Sequence, residues 1–182
     1  KSYETMAENL YTGDIFLKSK KIAKNNNLHF LIISAKFGLL HPKERIKPYE
    51  KAINNKTEAK ALEPQIRAKL EKFLKEKKIE KIILILGEKY FFAIKTLISQ
   101  IQSRIKVYRF KSKSGFLGYK KHLNALSKMG KDYKPKIFKR FDGDMVSFSK
   151  ILKWFWINFD KLKIIIVQDF ITHFDTEKVH RN

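Results

Sequence analysis

Two hydrophobic periods alternate along this chain, one suited to buried strands and the other to one-sided helices. Leu28–Ala35 is a short, nearly all-apolar run with paired isoleucines after an Asn-rich turn, which predicts a strand covered on both faces. Lys81–Leu86, ended by Gly87, and Ile105–Phe110 read as a second and third strand. Between them, Lys56–Lys78 places Leu62, Ile66, Leu70 and Leu74 at helical spacing, with Thr57 as the expected cap. Tyr90–Gln100 is predicted helical. Thr5–Asn25 shows a helical pattern on Met6, Leu10, Ile15, Ile22 and Ala23, with a break near Gly13 where Asp14 caps a second helix. Lys36–Glu50 carries Gly38, Pro42 and Pro48 and is predicted to be a long ordered loop, and Gly115–Leu126 a loop leading into another helix. Strands alternating with helices imply βαβ units, hence an α/β fold of three layers with a mostly parallel sheet flanked by helices.

After Met129 the pattern changes. Asp132–Asp144 is polar and basic, Phe148–Phe159 is aromatic-rich, and Leu162–Phe170 is apolar. The expected organisation is an α/β domain over 1–128. A basic linker and an aromatic-rich C-terminal extension, α-rich or mixed, follow over 129–182. Leu162–Phe170 is read as a helix or an edge strand. Trp154, Phe155 and Trp156 are consecutive, so one helix face does not bury all three.

Composition narrows the chemistry. The 182 residues are 43% hydrophobic with 15 Phe, enough for a real core. With no Cys, thiolate catalysis and Cys-ligated metals are excluded for these residues, and the five His show no metal-ligand spacing. No metal or cofactor is expected. The net charge of +22 attracts polyanions, so the expected partner is nucleic acid, DNA rather than RNA. The competing explanation is drift in an AT-rich genome, which favours Lys, Ile, Asn and Phe but ordinarily raises Glu as well. Lys1–Thr12 has no signal-peptide run, and the late apolar stretch is broken by Asp160, Lys161 and Lys163. A cytoplasmic protein without a membrane partner is expected.

In an open parallel sheet, ligands bind beyond the carboxyl ends of the strands. That rule selects Ser34–Glu50, Gly87–Tyr90 and Lys111–Tyr119. In the first, Ser34 and Lys36 place a hydroxyl and an amine where the strand ends, and Gly38 permits a tight turn. Pro48 fixes the approach to Tyr49, a candidate for stacking on a base, while Glu50 or Glu44 is placed to orient a water. Gly87 and Tyr90 are candidate substrate contacts from the second segment. In the third, Gly115 and Gly118 open a helix among Lys111, Lys113, Lys120 and Lys121, which suits phosphate contacts.

The residues Asn9–Gly13, Ile33–Leu40 (ISAKFGLL), Pro48-Tyr49-Glu50, Leu86–Tyr90 and Gly115–Gly118 resemble an uncharacterised bacterial and phage domain family, over roughly 7–128. Its mark is Ser-Ala-Lys-aromatic-Gly-Leu-Leu followed by Pro-Tyr-acidic. The same pattern is distantly similar to the peroxide-stress YaaA family and to the catalytic-type domain of archaeosine synthases. The resemblance implies nucleic-acid binding with base-directed chemistry, and it makes Lys36, Tyr49 and Glu50 the candidate catalytic residues. It also implies a further strand, ending in a Cys-x-x-Lys-like turn before Asn9. That strand is expected to be missing here, exposing a sheet edge and removing part of the site.

The leading expectation is therefore base modification or base excision in DNA or RNA. Lys36 would attack the sugar C1′ as an amine, given burial or nearby cations that lower its pKa, or Glu50 would activate water. The alternatives are a non-catalytic DNA- or RNA-binding stress or phage-defence protein, and a nucleotide-processing small-molecule enzyme.

Overall fold

The computed structural model describes residues 3–109, 124 and 163–169. The elements follow in the order β1 (Thr5–Met6), α1 (Ala7–Leu10), α2 (Asp14–Asn25), β2 (His29–Ser34), β3 (Gly38–Leu40) and β4 (Arg45–Ile46). They continue with α3 (Lys56–Glu76), β5 (Lys81–Ile85), α4 (Glu88–Phe92), α5 (Lys95–Ile101), β6 (Lys106–Arg109) and β7 (Lys163–Gln168). Five strands form one sheet in the order β3-β2-β7-β5-β6, and β1 and β4 form a separate two-stranded ribbon. The β2–β7, β7–β5 and β5–β6 pairs are parallel, and β3 runs antiparallel to β2. The predicted α/β class is the observed one: a mostly parallel sheet with helices on both faces.

The all-apolar strands explain the layering. Successive side chains point to opposite faces. Ile32, Ile83, Ile85, Ile165 and Val167 therefore pack with Tyr11, Ile15, Phe16 and Ile22 on one side. Leu31, Ile33, Ile82, Leu84, Ile164 and Ile166 meet Ile66 and Leu70 of α3 and Leu97 and Ile98 of α5 on the other. A strand covered on both faces has no polar period, as the sequence pattern required.

Several boundaries differ from expectation for local reasons. The Lys36–Glu50 segment is not one loop: it doubles back to form β3 on β2, and β4 pairs with β1. Gly38 makes that reversal possible. Its φ is +69°, and a Cβ there would come within 3.0 Å of the Gln65 side chain. The predicted N-terminal helix instead begins as strand β1, followed by a single turn. Tyr90–Gln100 is interrupted at Ala93-Ile94, giving two short helices. The cap of α3 is Asn55 rather than Thr57, with Asn55 Oδ1 accepting from Glu58 N at 2.9 Å and Glu58 Oε2 accepting from Asn54 N at 2.9 Å.

The largest difference is β7. Leu162–Phe170, read as a helix or edge strand, supplies a central strand bonded on both sides. Ile165 is opposite Phe30 of β2 and Ile83 of β5. No gap is left between β2 and β5, so the sheet edge expected from a missing strand is not exposed there.

Candidate functional site: a buried carboxylate at the end of the central strand

The carboxyl ends of β2, β7 and β5 lie side by side. Where β7 stops, the Asp169 amide still donates to Ile33 O at 2.9 Å, continuing the ladder for one more residue. This holds the Asp169 side chain, only 3% exposed, against the end of β2. Its Oδ2 accepts from Ala35 N at 2.8 Å and from the Tyr49 hydroxyl at 2.5 Å.

The remaining protons can be assigned around Tyr49. Since its only hydrogen goes to Asp169, its oxygen must accept from Ser34 Oγ at 2.5 Å and from the Tyr11 hydroxyl at 2.9 Å. Ser34 Oγ in turn accepts from Phe37 N at 3.1 Å and Lys36 N at 3.2 Å across the turn after β2. Every hydroxyl in the cluster is satisfied, and the direction of donation ends on Asp169. One atom is left over. Asp169 Oδ1 is buried and has no hydrogen-bond partner among the described residues. Tyr90 exerts a weaker polar influence on the carboxyl but falls short of a formed bond to that oxygen.

Burial is the dominant electrostatic effect. It pushes the Asp169 carboxyl up to about 6, against the opposing pull of donors from Tyr49, Tyr90 and Ala35. Burial likewise pushes Tyr11 up to about 12, and it raises Tyr49 and Tyr90, with the Asp169 charge adding to the rise of each. The tyrosines therefore stay protonated donors while Asp169 is the group that titrates near neutrality. On the other side of the β7 end, Gln168 Oε1 accepts from Gly87 N at 2.6 Å, tying the loop after β5 to the same strand end.

The structure brings Ser34, Tyr49, Gly87 and Tyr90 together at this place. Tyr49 is buried, its ring edge-on to Phe37 and Tyr11, so no open face is left for a base to stack on; its hydroxyl is the working part. Lys36 is exposed at the mouth of the cluster, its ammonium 5.3 Å from the Phe37 ring centre and 5.7 Å from that of Tyr49. Glu50 is exposed and takes no part in the network. Glu44 is occupied in a turn, accepting from His41 N at 2.7 Å and pairing with Lys69 at 3.5 Å. Gly38 acts through the backbone reversal. Gly115, Gly118, Lys111, Lys113, Lys120 and Lys121 lie outside the described residues.

Asp169, Gln168 and Tyr11 were not expected. Asp169 had the same signature as Ser34, polar residues directly after an apolar run (Ile164–Val167), but that run was not read as a central strand. No group of three or more metal-ligating side chains lies together among the described residues, and none of their helices is long and apolar enough to cross a membrane.

Comparison with known families gives one match, to DUF6884, described as a family of unknown function, over residues 1–128. No curated protein and no solved structure matches the chain. The matched stretch contains Tyr11, Ser34, Tyr49 and Tyr90, whereas Asp169 lies beyond it.

Proposed function

The chain belongs to this family of unknown function, and we propose from its own residues that it excises or modifies bases in nucleic acid, DNA before RNA, with Asp169 as general base. The observation that carries the reading is the orphaned Asp169 Oδ1: a buried oxygen with a lone pair to offer, on a carboxyl that titrates near 6. With Oδ2 engaged by two donors, a proton arriving at Asp169 goes to Oδ1. In base excision this oxygen takes a proton from water, and the water oxygen bonds to the sugar C1′. The C1′–N bond breaks, and the base leaves with its electron pair and is protonated. Tyr49, Ser34 and Tyr11 hold the carboxyl in place and supply no proton themselves. The choice of polyanion rests on the +22 charge and on the distant similarity of the Ser34–Glu50 pattern to the YaaA and archaeosine synthase families.

A binding protein without chemistry is the second reading. The full satisfaction of the Ser34, Tyr11 and Tyr49 hydroxyls favours it, since such clusters also occur as structural networks. Incubation with single-stranded and duplex oligonucleotides bearing normal and modified bases, followed by mass spectrometry of bases and strands, separates the two. The wild type is expected to yield a product and D169N at least about 100-fold less. A rate unchanged in D169N, or binding without product on every substrate, overturns the catalytic reading. Borohydride trapping is expected to give no adduct; a covalent adduct at Lys36 would transfer the chemistry to that amine.

A further inference from the structure

Two consecutive phenylalanines of α4 carry cations on their ring faces. Arg109 Cζ stands 3.8 Å from the centre of Phe91, and Lys56 Nζ and Lys95 Nζ stand 4.8 and 5.7 Å from that of Phe92. The three cations come from the first residue of α3, the first residue of α5 and the last residue of β6. They converge on α4, the helix whose Tyr90 faces Asp169, so the rim begins one residue along that helix from the site.

An aromatic face attracts a cation but cancels none of its charge. Among the described residues, no carboxylate lies within ion-pair distance of Lys56 or Lys95. Arg109 has one: its Nη2 donates to Glu88 Oε1 at 2.8 Å. The other edge of the guanidinium is unused, and Nε is buried without an acceptor. A planar fork held flat on a ring, with one edge tied down and a donor left over on the other, is prepared for an anion with several oxygens, such as a phosphate.

We propose that this rim contacts the phosphodiester backbone of a single-stranded segment, Arg109, Lys56 and Lys95 gripping phosphates while a neighbouring base is presented to Asp169. The proposal rests on the nucleic-acid reading above and adds the strandedness of the substrate and the residues that hold it. Single-strandedness follows from the depth of Asp169. A carboxyl 3% exposed is out of reach of a base inside a duplex stack, so the base must arrive unpaired. Half-buried aromatics interleaved with cations are also the surface that single strands use.

The test measures affinity for a single-stranded oligonucleotide, its duplex and a nucleoside 5′-monophosphate across a salt series, for wild type, K56A/K95A and R109K. Both lysines are exposed, and melting curves check that each variant stays folded. The wild type is expected to prefer the single strand about tenfold or more over the duplex. In K56A/K95A the slope of log affinity against log salt should fall by roughly two, one for each lost phosphate contact. R109K keeps the charge but loses the fork, and is expected to bind roughly tenfold more weakly. If the wild type binds single strands while both variants keep its affinity and slope, the rim is not the contact. Preference for the duplex, or equal affinity for the monophosphate and the oligonucleotide, also overturns the proposal. Failure of the wild type to bind any nucleic acid is a different result, and it removes the reading on which the proposal rests.

Discussion

Asp169 is where the fold spends stability on chemistry. Its folded pKa, about 6, lies above the ordinary value of 3.8, so the folded state holds the proton more tightly than the unfolded chain does. The stabilisation this gives is full below about pH 3.8 and is lost as pH rises through about 6. Asp169→Asn mimics the protonated form: its carbonyl oxygen can accept from Ala35 N and Tyr49, with the amide nitrogen replacing the orphaned Oδ1. Urea unfolding should find D169N more stable than the wild type at pH 8 by up to roughly 3 kcal/mol, the gap narrowing toward pH 5. A variant that is less stable at pH 8 would mean that the ionised carboxyl is a net structural asset. Tyr49 works in the opposite sense, because its donated hydrogen bond holds the Asp169 pKa down.

At the scale of elements, β7 decides whether there is a site. It bonds to both β2 and β5 along its length and ends in the carboxylate, yet it lies outside the stretch that matches the family. A chain ending at residue 128 leaves β2 and β5 without the strand between them and exposes Ile32, Ile83 and their neighbours. It is expected to show no cooperative melting transition by circular dichroism, whereas a cooperative one would mean that β7 is an accessory. The elements legible in the sequence were those whose pattern is local. Paired isoleucines marked β2 and β5, and the four-residue spacing marked α3. The strand character of Ile164–Val167 was equally local. Its central position was not, because strand order depends on pairing with residues more than 80 positions away. The break between α4 and α5 and the pairing of β1 with β4 were missed for the same reason: each is settled by tertiary contacts rather than by propensity.

For the whole molecule, the site is a product of topology. Ala35 and Asp169 are 134 positions apart, and Tyr11 and Tyr49 are 38 apart. The rule that ligands gather at strand carboxyl ends found Ser34, Gly87 and Tyr90 because their strands were recognised, and it would have found Asp169 once β7 was. Lys36 and Glu50 were chosen by motif, and the structure puts both at the surface, with Lys36 at the mouth of the cluster. The charge of +22 and the Arg109–Lys56–Lys95 rim act over the surface around that one titrating group. The central claim is that Asp169 is a buried carboxyl with a free oxygen, and carboxyl-carbon NMR of the intact chain tests it most directly by following the Asp169 side chain from pH 3 to 9 in wild type and Y49F. The account predicts a midpoint of about 6 in the wild type and a higher one in Y49F. A midpoint near 3.8 in both would contradict it.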